Sequence, residues 1–235
     1  MKLITFLDKL IFPLLLISLF FILTTFLTVF THEMAWQRIG GINFHRIFQL
    51  LDLREENTLA TWFSSVIFLA TSLAFVLLGW GSSPTFKVSL LTRRMSQLVT
   101  FGACLVSADE VASIHETVGK WFGRLITTVL GIPELANDQG FLWVPLLAPI
   151  FLIGFFMAAH VLYKLIIPMQ HHRQWALLTL TTALICLPLG VFISEALESQ
   201  GIFVNFITCM EESFEIIGMY SLFTSVILVA KEYQL

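Results

Sequence analysis

Charge is what this chain of 235 residues has least of. Asp, Glu, Lys and Arg together make up 12% of it, about half of what a water-soluble domain carries. The few basic residues are not gathered: 13 Lys and Arg against 16 Asp and Glu leave a net charge of −3 with no basic run. That excludes a nucleic-acid binder. Cysteine is scarce as well. Cys104, Cys186 and Cys209 are scattered through apolar stretches with no C-x-x-C spacing, so neither a disulfide framework nor a thiolate zinc site is available. Repeats, low-complexity tracts and linkers are lacking too, and residues 1–235 read as one domain. What abounds is apolar: 57% of residues, with 23 Phe and 6 Trp and a mean hydropathy of +0.86. A soluble globule of this size cannot bury so many rings, and the composition predicts an integral membrane protein.

A bilayer core about 30 Å thick takes about 20 helical residues. Four runs free of charge are long enough alone: Leu10–Thr31, Asn57–Phe86, Gln139–Tyr163 and Gln174–Ser194. Two more, Met95–Ala108 and Ile216–Ala230, cross only if they carry acidic residues into the membrane. The second of these is apolar all round, which suits a span and not a helix lying on the surface. The expected fold is therefore an all-α, polytopic bundle of six transmembrane helices, at about 9–32, 57–80, 95–119, 141–167, 174–199 and 207–231. The first run exceeds the 7–15 residues or so of a signal-peptide core and ends without a small-residue cleavage site, so it stays as helix one. Between helices one and two, apolar residues recur at helical spacing over Ile42–Leu51, predicting an interfacial helix. Trp62 and Trp80 lie ~27 Å apart along helix two, one for each interface. With six crossings, eight Lys and Arg share the side of the two termini against five opposite. Both termini are then expected in the cytoplasm, and the protein in the inner membrane.

The carboxylates are distributed far less evenly. Of 16, only Asp8 and Glu232 fall on the expected cytoplasmic side, and acidic residues contribute little to setting orientation. Counted from Arg94, Asp109 lies ~22 Å along helix three; counted from Lys231, Glu215 lies ~24 Å along helix six. Both are below the outer boundary. Glu110 is beside Asp109, and His115, Glu116, Glu195, Glu198, Glu211 and Glu212 follow close to the surface. On ideal helices Asp109 and Glu116 share a stripe with Gly102 and Ala112, small residues that would admit a neighbouring helix. Glu211, Glu215 and Gly218 share another, and Pro188 with Gly190 could bend helix five below Glu195 and Glu198.

Solvated helix ends would explain Glu residues in the first turn of helix six, where the macrodipole is positive. On helices three and five the outer ends are C-terminal, and a carboxylate there is disfavoured by ~0.3–1 kcal/mol. Burial of an Asp at the helix centre adds about 2.5–3.5 kcal/mol on insertion scales. A compensating positive charge is expected. Carboxylates with one imidazole from three helices make an oxygen-rich ligand set suited to a divalent metal cation. The candidate ligands are Asp109, Glu110, His115, Glu116, Glu195, Glu198, Glu211, Glu212 and Glu215. A metal-bound water activated there could hydrolyse a lipid-like substrate arriving through the bilayer, with Glu116 or His115 as general base. Two other readings stay open: a proton- or cation-coupled transporter or channel, and an acidic socket that docks a basic partner subunit. The pattern Asp109-Glu110-x4-His115-Glu116, with Glu211-Glu212-x2-Glu215-x2-Gly218 and an Asn57-x4-Trp62-Phe63-Ser64-Ser65 segment before them, resembles one in uncharacterised bacterial multi-pass membrane proteins. That resemblance implies no activity.

Overall fold

A computed structural model describes residues 2–31, 51, 58–83, 86–130, 143–198 and 204–235. Among them are seven helices and no strand: α1 (Lys2–Thr31), α2 (Leu59–Trp80), α3 (Leu90–Ala112), α4 (Ile114–Leu130), α5 (Trp143–Ile166), α6 (Arg173–Glu198) and α7 (Val204–Glu232). Four stretches are long and apolar enough to cross a membrane: Leu3–Val29, Leu59–Trp80, Pro149–Ile166 and Phe206–Glu232. The bent pair α3–α4 makes a fifth if it forms one span.

α2 shows why these residues make helices and where their sides go. Thr58 caps it in extended conformation, its Oγ1 accepting the Thr61 N–H, and Gly81 closes it by donating its N–H to the Leu77 carbonyl. Between the caps, Ala60, Phe63, Ile67, Ala74, Phe75 and Leu78 are buried along one side, whereas Leu59, Trp62, Val66, Leu69, Leu73 and Trp80 are exposed along the other. In water such an exposed apolar face would be an aggregation liability; against hydrocarbon it is the natural outer surface. Both tryptophans lie on that face near the helix ends, as expected for interface anchors.

α7 is different. Its most apolar window is 72% buried, against 28% in α1 and α5 and 50% in α2. The run that is apolar all round, Ile216–Ala230, is thus the centre of the bundle. α7 touches α1, α2, α5 and α6.

Side-chain contacts set the directions. α3 runs antiparallel to α2: Ser65 lies against Ser107, Ser72 donates to the Thr100 carbonyl (2.8 Å), and Gln97 donates to the Gly79 carbonyl (3.2 Å). α6 runs antiparallel to α7, since Ser225 donates to the Ala176 carbonyl (3.2 Å) and Leu187 packs on Gly218. α1 is antiparallel to α7 as well, with Asp8 bonded to Lys231 at 3.0 Å and the Phe26 and Phe206 rings 6.1 Å apart. α2 and α7 run parallel, Ser64 level with Glu215 and Gly81 level with Leu235. Tyr233 donates to the Leu165 carbonyl (2.9 Å) and brings the end of α5 to the same level. One end of the bundle therefore gathers Lys87, Lys164, Lys231, Asp8 and Glu232. The other gathers Asp109, Glu110, Glu211, Glu212 and Glu215.

The expected third helix, 95–119, is not one helix. α3 stops at Ala112; Ser113 takes a left-handed conformation (φ 44°), and its N–H bonds the Asp109 carbonyl at 2.8 Å. A left-handed residue cannot continue a right-handed helix. The chain resumes as α4, and Thr117–Val129 lies 85° from α3. The break falls where polar residues are densest, between Asp109-Glu110 and His115-Glu116. Elsewhere the expected and observed bounds differ by a few residues, except that α1 already begins at Lys2 and α3 at Leu90. The interfacial helix expected over Ile42–Leu51 lies, but for Leu51, outside the described residues.

Candidate functional site at the acidic end

One turn of α2 organises this end. Ser64 and Ser65, adjacent in sequence, address different neighbours. Ser65 donates to the Ser107 carbonyl at 2.7 Å, and Ser107 donates back to the Ser65 carbonyl at 2.9 Å. This reciprocal pair joins α2 to α3 just below Asp109. Ser64 instead lines a narrow crevice with Ile67 and Phe68, opposite Glu215, Ile216 and Met219 of α7. α2 therefore stands between the carboxylates of α3 and those of α7, and among the described residues α3 and α7 do not touch. The sequence leads one to expect acids from helices three, five and six converging on one point. The structure brings them to one end but divides them into two groups.

The first group is Asp109 with Glu110, both half-buried in the last turn of α3. No basic side chain lies in that turn, where the helix dipole presents its negative end. At Gly102 the expected stripe of Gly102, Asp109, Ala112 and Glu116 meets no neighbouring helix among the described residues. An added Cβ at Gly102 would meet nothing within 4 Å, and Leu98, Phe101 and Leu105 are exposed beside it. α3 turns its hydroxyls inward instead, with Ser96, Thr100 and Ser107 buried. Ser96 and Thr100 donate to the Thr92 and Ser96 carbonyls of their own helix, and the face is tied to α2 through Ser107, the Thr100 carbonyl and Gln97. The turn at Ser113 removes Glu116, with His115, to α4; the side chains of these two residues lie outside the described ones.

The second group is Glu211, Glu212 and Glu215, half-buried on α7. Gly190 of α6 packs directly against them: a Cβ there would lie 3.2 Å from the Glu211 carbonyl oxygen and 3.2 Å from Glu215 Cγ. Gly218, one turn further along α7, admits Leu187, whose Cγ would be 2.6 Å from an added Cβ. Gly190, expected to help bend its helix, is thus used for close approach. Glu195 and Glu198 follow it on α6, roughly one and two turns on, and their side chains lie outside the described residues. Among the described residues no three His, Cys, Asp or Glu side chains are grouped so as to hold a metal ion together.

Sequence reading overlooked the opposite end. There the Glu232 carboxylate accepts three backbone N–H groups, of Gln170 (2.9 Å), His171 (3.2 Å) and His172 (3.2 Å), clasping the α5–α6 turn to the end of α7. Burial and the nearby Glu232 carboxylate push the Tyr233 phenol upward in pKa. The only sequence signal for the clasp was a Glu where its neighbours on that side are basic.

A buried helix ringed by lipid-facing helices defines an integral membrane protein. Its family follows from comparison of sequence: residues 15–229 match the model of a domain of unknown function (DUF8692), and the chain belongs to that uncharacterised family. No curated protein and no solved structure matches it.

Proposed function

We propose that this chain is a six-crossing inner-membrane protein, its termini in the cytoplasm, that binds a divalent cation between α6 and α7 at the acidic end. The observation that carries the reading is the close approach at Gly190. It sets the α6 backbone against the turn of α7 bearing Glu211 and Glu215, and the chain continues from there to Glu195 and Glu198. Four or five carboxylates on two tightly packed helices form a hard oxygen ligand set, at a depth where negative charge needs compensation. Asp109 and Glu110 make a second, separate group across α2, and His115 and Glu116 follow it on α4. On α4, Glu116 or His115 would be the general base for hydrolysis of a lipid-like substrate at the membrane surface.

Metal analysis of the detergent-purified protein tests this. A stoichiometric divalent metal, lost in Glu215→Gln and kept in Asp109→Asn, is the expected result. Metal lost equally in both variants would mean one joint site and sink the division drawn here. No metal, with a pH-dependent cation flux in proteoliposomes, would turn the assignment to coupled transport. No metal, no flux and a co-purifying basic subunit would leave a docking socket.

A further inference from the structure

At the basic end a cleft of about 510 Å³ opens between the start of α3, the end of α5 and the residues after α7. Its volume is in the range of small-molecule sites. Lys87 and Lys164 reach it from two different segments, joined by His160 one turn before Lys164 and by the hydroxyls of Ser89 and Thr92. No carboxylate lines it. Asp8 is bonded to Lys231 and Glu232 to the α5–α6 turn, so the two acids of this end are engaged elsewhere, and neither Lys87 nor Lys164 is ion-paired among the described residues. The rest of the wall is apolar: Val88, Leu91, Leu165 and Pro168. Leu91 and its neighbour Leu90 are about two-thirds exposed or more.

Two ammonium groups with no ion-pair partner among the described residues, beside an exposed apolar wall, match a molecule with an anionic head and hydrocarbon tails. From this cleft we infer a binding site for a phospholipid of net negative charge, its phosphate held between Lys87 and Lys164 and its acyl chains lying along Leu90 and Leu91. Basic pockets between transmembrane helices recognise anionic head groups in this way. A free phosphate ion shares the charge but not the tails, and a zwitterionic phospholipid shares the tails but not the net charge; the test separates all three.

The full chain, purified in mild detergent, is titrated with phosphatidylglycerol, phosphatidylcholine or inorganic phosphate, and lipid retention is read by native mass spectrometry beside the thermal midpoint. The expected result is retention of, and stabilisation by, phosphatidylglycerol alone. At about 1 kcal/mol per lysine near the surface, Lys87→Ala with Lys164→Ala should weaken retention about 25-fold, and Lys87→Arg with Lys164→Arg should preserve it. Should the alanine pair fail to fold, Lys164→Gln alone should weaken retention about fivefold. Equal retention of phosphatidylcholine, equal stabilisation by inorganic phosphate, or undiminished retention in the folded alanine or glutamine variants would overturn the assignment.

Discussion

α2–α3 and α6–α7 are both antiparallel helix pairs, yet they are joined by different means. The first is stitched by hydroxyls and an amide: Ser65 with Ser107, Ser72 with the Thr100 carbonyl, Gln97 with the Gly79 carbonyl. The second is joined by shape, Leu187 seated on Gly218 and Gly190 against the Glu211–Glu215 turn. Within a membrane there is no hydrophobic force between helices to prefer one over the other. The difference teaches where each pair can place charge. The stitched pair leaves Asp109 and Glu110 half-buried in the last turn of α3. The pair joined through glycines sets the α6 backbone against the turn bearing Glu211 and Glu215, and Glu215 also lines the crevice facing Ser64 of α2.

Substitutions can break that contrast. The largest effect is expected from Gly218→Leu, where the first added carbon already collides with Leu187; overpacking of this kind costs about 1–3 kcal/mol, read as a fall in the thermal midpoint in detergent. Next comes Glu232→Ala, which leaves the amides of Gln170, His171 and His172 without their charged acceptor. About 1–2 kcal/mol should be lost, with faster hydrogen exchange confined to those amides; uniform acceleration across α6 would show that the clasp has no local role. The stitched pair should respond less. A double-mutant cycle on Ser65→Ala and Ser107→Ala should give a coupling of about 0.6 kcal/mol, and no more than about 1.7. Gly102→Ala should leave the midpoint unchanged or slightly raised, because nothing faces that position. A midpoint loss at Gly102 matching that at Gly218 would mean that α3 has a helical neighbour on its outer face, and the contrast between the pairs would vanish.

How far the fold could be read beforehand depended on whether the signal was local. Ile216–Ala230 lacks a polar side, which marks a span rather than a surface helix without knowledge of its neighbours, and α7 is long and apolar enough to cross; that it is also the most enclosed helix depends on those neighbours. Trp62 and Trp80 likewise mark depth by their own chemistry. The break at Ser113 escaped because charge-free runs measure how far a helix can go, not where one residue turns left-handed. The face of α3 at Gly102 was misassigned for a related reason: small residues offer a smooth surface, but the bonds from Ser107 and Gln97 to α2 carbonyls depend on a partner that the sequence does not name. Gathering of the acids at one end was legible from depth arithmetic. Their separation by α2 was not, since it depends on which helices are neighbours.

The place of α7 in the chain has a consequence for biogenesis. It follows every other described helix, yet it is the one they surround. While the ribosome is still making it, α1, α2, α5 and α6 have no central post to lean on, and polar atoms destined for the interior, such as those of Ser64 and Thr71, look onto an unfilled axis. Insertion of α7 is then the step that covers these inner faces, and the one before which a holding factor in the membrane would matter most.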